Sequence, residues 1–206
     1  MPHQNRVNPF GELVAHPSKG SLMGNRGCLH NENGTIGRRR WTTKSWVTCA
    51  LNFKDWRQPI FAPGGYTQLF FLDEPTALAA GHRPCATCRR DRFDTFVNAW
   101  RKGNMPWSER VRVGDIDPVV HRERTLLICD RPSVDPATLP VGAQFTDESK
   151  SRVWLKWASG YHEWSFEGYS PPSAITEQTV RLLTPWSTVK ALESGYLPEV
   201  HPSLLV

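Results

Sequence analysis

Residues 69–88 read Leu-Phe-Phe-Leu-Asp-Glu-Pro-Thr-Ala-Leu-Ala-Ala-Gly-His-Arg-Pro-Cys-Ala-Thr-Cys and contain the clearest signals for secondary structure in the chain. This stretch begins with apolar residues that favour a strand. Asp73 or Glu74 then predicts a helix cap, and Pro75 suits the first turn of a helix. Gly81 predicts the end of this short helix, because glycine readily adopts the conformation that follows a last turn.

A second helix is predicted to begin near Cys88. Its apolar residues recur at positions i, i+3, i+4 and i+7, which places them on one face that we expect to pack in the core. Gly103 and Asn104 predict its end. The residues of the apolar face are Phe93, Phe96, Val97 and Trp100.

Around this centre the pattern predicts an α+β protein. A first unit, residues 1–104, is expected to be a small zinc-stabilised module with an N-terminal hairpin. A second, residues 105–206, is expected to be β-rich with a short C-terminal helix. The predicted elements are a hairpin within 10–24, strands at 46–53 and 66–72, a junction at 103–118, a strand meander at 141–145, 152–157 and 161–166, a strand at 179–183 and a helix at 187–194.

Composition restricts the classes of function. The 206 residues carry 25 Lys and Arg against 20 Asp and Glu, a net charge of +5 that is compatible with nucleic-acid binding but does not require it. No apolar run approaches the roughly 20 residues that a bilayer requires, and the N-terminus lacks the apolar segment of a secretory signal. We therefore expect a cytoplasmic protein without membrane partners, whose five cysteines are thiols or metal ligands.

Cys85 and Cys88 form a Cys-x-x-Cys pair, which is half of a tetrahedral zinc site when it lies at a helix start. A full site needs two further ligands, and the candidates are Cys28, His30, Cys49 and His82. Zinc is therefore the predicted cofactor.

Two other interpretations use the same pair. A thioredoxin-like redox motif requires a preceding buried parallel strand, whereas a helix is predicted before this one. The letters of His30-Asn31-Glu32 with Pro84-Cys85 and Cys88 match the pattern of zinc nucleobase deaminases, in which His and two Cys bind zinc and Glu moves protons. The Asn-Gly turn signal after Glu32 argues against the helix that this pattern needs.

Residues 22–100 resemble the Ada-type zinc-binding domain of DNA alkylation-repair regulators. The specific part is the strand, the acidic cap, the helix ending Ala-Ala-Gly and the Arg-Pro-Cys-x-x-Cys segment; Met23-Gly24-Asn25 with Leu29-His30 is a looser match. The resemblance implies zinc bound by His30, Cys49, Cys85 and Cys88, with Cys28 as the rival of Cys49. This sequence departs from the family's pattern at the second ligand, so we do not expect the family's methyl-transfer activity here. His82 stands where the family usually has an aromatic residue and is expected to pack in the interior.

The same resemblance and the basic residues around the motif imply a partner, nucleic acid, with DNA favoured over RNA. We expect a zinc-containing nucleic-acid-binding protein in DNA repair or processing. The alternatives are a metal-dependent nuclease, glycosylase or deaminase, and a protein-interaction module with a structural zinc; whether the chain is an enzyme stays open. The arginines expected to contact phosphates are Arg26, Arg38, Arg39, Arg40, Arg83, Arg89 and Arg90.

The second half offers aromatic residues without a motif. Five of them fall on two adjacent predicted strands, where they either fill a small core or stack bases, and the core is the favoured interpretation. Cys129, in an apolar run, is expected to be a core thiol. The five aromatic residues are Trp154, Trp157, Tyr161, Trp164 and Phe166.

Overall fold

Two sheets and four helices form the part of the chain that the computed structural model describes, residues 1–54 and 59–205. The predicted α+β class is confirmed. Three short 3-10 turns complete the secondary structure of the described residues: Ile128–Asp130, Pro136–Thr138 and Pro202–Leu204.

The first sheet has six strands in the order β2-β1-β5-β3-β4-β6 within the described residues. β1 pairs in parallel with β5, and β4 pairs in parallel with β6, whereas the other neighbours are antiparallel. The strands are β1 (Gln4–Val7), β2 (Leu13–Ala15), β3 (Leu22–Asn25), β4 (Val47–Cys49), β5 (Leu69–Phe71) and β6 (Arg83–Pro84).

The hairpin predicted within residues 10–24 is wrong. β2 pairs with β1, and β3 lies between β5 and β4 on the far side of β5. Gly20 lies so close to the backbone of Phe71 that a side chain there would clash. The chain therefore passes across β5 at this glycine instead of turning back on itself.

The first two helices match their predicted signals. α1 (Glu74–Ala79) is capped by Asp73, whose carboxylate accepts the backbone N–H of Thr76 at 3.1 Å. Gly81 follows with a φ of +77°, the conformation that glycine supplies after a helix. α2 (Arg90–Asn104) buries Phe96 and Trp100 on the predicted apolar face.

The second sheet contains the predicted meander. Its order among the described residues is β10-β9-β8-β11-β7, and every neighbouring pair is antiparallel. The strands are β7 (Ser133–Val134), β8 (Gln144–Thr146), β9 (Val153–Trp157), β10 (Gly160–Glu163) and β11 (Val180–Leu182).

Two further helices pack beside this sheet. α4 (Trp186–Glu193) confirms the predicted C-terminal helix. The prediction of a junction at 103–118 is wrong over its second part, because α3 (Val113–Arg124) begins there and contains Pro118. A proline inside a helix removes one backbone hydrogen bond; here Ile116 and Val120, one turn apart, bury their side chains in the core and hold the helix.

One hydrophobic cluster contains residues from both predicted units. Phe96 and Trp100 of α2 lie in the same cluster as Phe145, Trp154 and Leu192 of the second half. The boundary after residue 104 stays a prediction. Side chains from both sides of it pack in the same hydrophobic cluster.

Two buried acids at the start of α1 also connect the halves. Asp73 accepts the Tyr169 hydroxyl at 3.1 Å and the backbone N–H of His201 at 3.1 Å. Glu74 accepts the Tyr196 hydroxyl at 2.6 Å and pairs with Arg89 and Arg92. The C-terminal tail is thus hydrogen-bonded to the start of α1, within residues 69–88.

Two expectations for the second half have different outcomes. Trp154 is buried as a core residue, which confirms the favoured interpretation for this ring, whereas the other four aromatic residues are half-buried. Cys129 is exposed, so its prediction as a core thiol is wrong. The apolar run before it follows the end of α3 and leaves Leu126 and Leu127 exposed as well.

Within residues 1–54 and 59–205, none of the helices has the length and apolar character needed to cross a bilayer.

The shared core predicts that the two halves unfold together. Trp100→Ala should lower the free energy of unfolding by about 3–5 kcal/mol, because the indole is 2% exposed and its loss leaves a cavity. Trp107→Ala is the matched control: its ring is 77% exposed, and the expected loss is under about 0.5 kcal/mol. Denaturant unfolding followed by circular dichroism measures both. Two separate transitions, with only one shifted by Trp100→Ala, would contradict the shared core.

Candidate metal centre

The parallel pairing of β4 with β6 brings two cysteines together. Val47 pairs with Arg83 and Thr48 with Pro84, so the next residues, Cys49 and Cys85, follow side by side at the ends of the two strands. The backbone N–H of Cys85 donates to the carbonyl of Thr48 at 2.9 Å and fixes this register. Cys49 and Cys85 are 36 positions apart, and only this strand pairing makes them neighbours.

Cys88 completes the group from the turn that leads into α2. The backbone N–H of Arg89 donates to the carbonyl of Cys85 at 3.1 Å, which folds the Cys-x-x-Cys segment back on itself. The sulfur atoms of Cys49, Cys85 and Cys88 all lie within 4.8 Å of one another, and each residue is half-buried. Three thiols at this separation can hold one metal ion.

The thiols polarise one another. Hydrogen bonding from Cys49, followed by backbone N–H groups including that of Thr87, lowers the pKa of Cys85 to about 4, although burial opposes this. The hydrogen bond to Cys85 and burial raise the pKa of Cys49. Burial likewise raises the pKa of Cys88, against a hydrogen bond from the backbone of Ala50. A cation would favour the deprotonated form of all three sulfurs, since thiolates are the species that bind metal.

A pocket of about 350 Å³ adjoins the three thiols. It is lined on one side by the cysteines and on the other by apolar and aromatic side chains, so a metal ion held there would face an open space. The raised pKa of Tyr66, caused first by burial and then by the nearby cysteines, agrees with its position in this wall. The other principal lining residues are Met23, Leu51, Phe53, Ile60 and Phe70.

His30, the first ligand implied by the family resemblance, lies outside the group of three thiols. Its Nδ1 is 2.7 Å from the Thr67 hydroxyl, and its Nε2 is 3.2 Å from the carbonyl of Ala62. The ring also stacks on Phe61 at 4.8 Å. Both ring nitrogens are thus engaged within the protein. The deaminase interpretation required His30 to bind zinc together with Cys85 and Cys88, and His30 lies outside the group that contains these two cysteines.

The remaining candidates for ligands have other environments. Cys28, held in reserve for Cys49, is exposed, and its thiol lies 3.6 Å from the carbonyl of His30. His82 packs as expected, 4.7 Å from the ring of Phe71, and accepts a hydrogen bond from Arg26 at 3.2 Å.

One premise about the motif needs correction. A strand does precede the Cys-x-x-Cys pair, because the two-residue β6 lies between α1 and Cys85 and runs parallel to β4. The segment between Gly81 and the pair was too short to predict as a strand. The third sulfur, from Cys49, still distinguishes this group from a two-cysteine redox motif.

The predicted phosphate-contacting arginines separate into two groups. Arg38, Arg39, Arg40 and Arg90 are exposed. The other three, Arg26, Arg83 and Arg89, are buried, so the prediction that they belong to an exposed phosphate-binding surface is wrong.

Each of the three buried arginines has partners inside the protein. Arg83 forms two hydrogen bonds with Asp117, at 2.7 and 2.9 Å. Arg89 pairs with Glu74 at 3.0 Å. Arg26 donates to His82 and to the carbonyl of Gly11, and it lines a second pocket. Sequence charge alone could not separate these residues from the exposed ones, because their partners lie far along the chain.

The three-thiol group predicts a simple metal-binding experiment. Cys49→Ser should weaken zinc binding by far more than tenfold, because loss of a group that only hydrogen-bonds to a metal ligand already costs about 10–100-fold. Cys28→Ser and Cys129→Ser remove exposed cysteines outside the group and should bind zinc as the unchanged chain does. Competition with a chromophoric chelator measures each affinity. Equal loss in Cys28→Ser would contradict the assignment.

The lowered pKa of Cys85 predicts its reactivity. In the metal-free chain at pH 6, Cys85 should react with iodoacetamide faster than the exposed Cys28 and Cys129, because a group with a pKa of about 4 is already a thiolate there. Added zinc should protect it. Mass spectrometry of peptides gives the rate at each cysteine, and a rate at Cys85 no higher than at Cys28 would contradict the polarised group.

Comparisons with protein-family models, with curated proteins and with solved structures found no match. The resemblance of residues 22–100 to the Ada-type domain therefore stays a prediction. The group of three cysteines does not depend on it, because it follows from the pairing of β4 with β6 and from the distances between the sulfur atoms.

Proposed function

We propose that the chain is a cytoplasmic zinc protein that binds nucleic acid, DNA in preference to RNA, and that it acts in DNA repair or processing. The observation that carries the proposal is the convergence of Cys49, Cys85 and Cys88 beside a pocket. The exposed arginine run and the family resemblance supply the nucleic-acid part.

Zinc is the metal that this set of ligands favours. Thiolates are soft ligands that select Zn²⁺, Cu⁺ and iron–sulfur clusters over Mg²⁺ or Ca²⁺. Iron–sulfur clusters are usually held by four cysteines, whereas this group has three among residues 1–54 and 59–205. A Cys-x-x-Cys turn at the start of a helix is a common half of a tetrahedral zinc site. The proposed ligands are thus Cys49, Cys85 and Cys88, with His30 no longer among them.

The pocket beside the thiols favours a second candidate, a metal-dependent enzyme acting on nucleic acid. Structural zinc sites are normally closed by four protein ligands, whereas catalytic sites have three and leave one position for water or substrate. Zinc held by three thiolates at a pocket wall would polarise a ligand that enters the pocket. The aromatic lining, including Tyr66 and Phe70, suits a flat substrate group such as a base.

Nucleic acid is the proposed partner because an uninterrupted run of cations is exposed. Arg38, Arg39 and Arg40 are all exposed and belong to the loop between β3 and β4, the two strands that carry Met23 and Cys49 into the metal pocket. Exposed arginines bind phosphates through charge and paired hydrogen bonds. The basic run thus lies in the loop that leads into β4, the strand that supplies the first thiolate.

The proposal predicts salt-dependent binding to DNA. Replacing Arg38, Arg39 and Arg40 together by alanine should weaken binding to duplex DNA. The slope of log affinity against log salt should become shallower by about one per lost phosphate contact. Fluorescence anisotropy with labelled DNA at several salt concentrations measures both effects on the zinc-loaded chain.

The matched control removes the same charge elsewhere. Replacing the exposed residues Lys102, Arg110 and Arg122 by alanine should leave the slope closer to that of the unchanged chain. Equal effects of the two triple variants would show that only net charge matters. Affinity independent of salt would remove the nucleic-acid part of the proposal and leave the zinc site standing.

A further inference from the structure

A second pocket, of about 500 Å³, is lined by arginines and is separate from the cysteines. It shares no lining residue with the metal pocket. We call it the arginine pocket. Its lining includes Phe10, Glu12, Arg26, Arg40, Trp41, Trp46, Arg124 and Arg131.

The charge in the arginine pocket is unbalanced. Four arginines line it against a single carboxylate, Glu12, which is not buried and accepts a hydrogen bond from Asn8 at 2.8 Å. Among the described residues, none of the four arginines forms an ion pair with a carboxylate. Buried arginines elsewhere in this chain do: Arg83 pairs with Asp117 and Arg89 with Glu74.

The buried arginines of the pocket are held by neutral groups instead. Arg26 donates to the carbonyl of Gly11 at 2.8 Å, and Arg124 donates to the carbonyl of Gly81 at 2.6 Å. Arg131 donates to the carbonyl of Leu183 at 2.9 Å. Neutral acceptors fix the side chains in place without cancelling their charge.

Some of the guanidinium donors have no acceptor at all. Within the described residues, Nη2 of Arg26, Nε of Arg124 and Nε of Arg131 are buried without a hydrogen-bond partner. All three residues are more than nine-tenths buried. A buried donor without an acceptor costs about 1–3 kcal/mol, and more when it is charged, so the protein does not fully compensate these three guanidinium groups.

The pKa values of the three buried arginines are lower than usual. Burial first, and then the charges of Arg124 and Arg40, lower the pKa of Arg26 to about 9. Burial is the largest cause lowering the pKa of Arg124 to about 9, and the charge of Asp117, which is not a lining residue, opposes it in part. Burial also lowers the pKa of Arg131 to about 10. An anion in the pocket would favour the charged forms and raise these values again.

Aromatic rings frame the same space. The guanidinium carbons of Arg124 and Arg26 lie 3.7 and 4.0 Å from the ring of Trp46, contacts that offset part of the cost of burying charge. The ring of Trp41 lies 6.0 Å from that of Trp46 and is 39% exposed. Trp41 thus offers an aromatic face at the pocket to a flat group attached to an anion.

We infer that the arginine pocket binds the phosphate group of a nucleotide or of a nucleic-acid strand, with an attached base beside Trp41. Arginine donors bind phosphate oxygens in pairs. A terminal phosphate carries about −1.5 to −2 charges at pH 7, so it compensates the charge of several arginines better than one carboxylate does. The phosphate site stands on the pocket itself. Only the strand as a source of the phosphate rests on the proposed function.

The test uses the zinc-loaded 206-residue chain and calorimetric titration with inorganic phosphate and with a nucleoside 5′-monophosphate. Both should bind, and Arg40→Gln should weaken each by about tenfold, as expected when one charge-assisted hydrogen bond is lost. Arg39→Gln is the matched control: the residue is exposed on the same loop but does not line the pocket, and affinity should stay within about twofold. Trp41→Ala should weaken the nucleotide and not inorganic phosphate.

A 5′-phosphorylated oligonucleotide and its 5′-hydroxyl form then distinguish the sources. Tighter binding of the phosphorylated form, lost in Arg40→Gln, assigns the site to strand ends; phosphate and nucleotide binding alone assigns it to free nucleotides. Either result supports the phosphate site. If phosphate and the nucleotide bind but neither oligonucleotide does, the result counts against the proposed function and not against the phosphate site. The inference is overturned if phosphate does not bind at millimolar concentration, or if Arg40→Gln and Arg39→Gln behave alike.

Discussion

The parallel pairing of β4 with β6 is the constraint on which the candidate metal centre depends. It is short, with Val47 opposite Arg83 and Thr48 opposite Pro84, yet it places Cys49 beside Cys85. A parallel pair needs a long connection, and here that connection includes β5 and α1. A change that shifts this register by one residue would turn one of the two thiols to the other face of the sheet.

Buried charge is treated in two different ways around this pairing. Arg83 is neutralised by Asp117, which joins β6 to α3, and Glu74 at the start of α1 is neutralised by Arg89. Such pairs are structural, since removing one partner leaves an uncompensated charge. Arg26 and Arg124 have neutral acceptors only. Because the same chain supplies carboxylates to its structural arginines, the uncompensated ones are better explained by an anion from outside.

Local signals were predictable from the sequence, and long-range partners were not. The cap at Asp73, the end of the helix at Gly81 and the Cys-x-x-Cys turn each depend on neighbouring residues, so their patterns could be recognised. The strand order depends on tertiary contacts, and the hairpin was therefore mispredicted. Arg83 and Arg89 were predicted as phosphate contacts, since charge along a sequence does not show burial or ion pairing. Arg131 carried no signal, because its pocket is assembled from distant segments.

We propose that one zinc ion is bound by three cysteine thiolates beside an open pocket. X-ray absorption at the zinc edge of the 206-residue chain measures the number and type of ligand atoms directly. We expect three sulfur atoms at about 2.3 Å and one lighter atom, oxygen or nitrogen, at about 2.0–2.2 Å. Four sulfur atoms would mean a closed structural site, and two would leave one of the three cysteines outside it. Either result would contradict the assignment of Cys49, Cys85 and Cys88 as an open three-thiolate site.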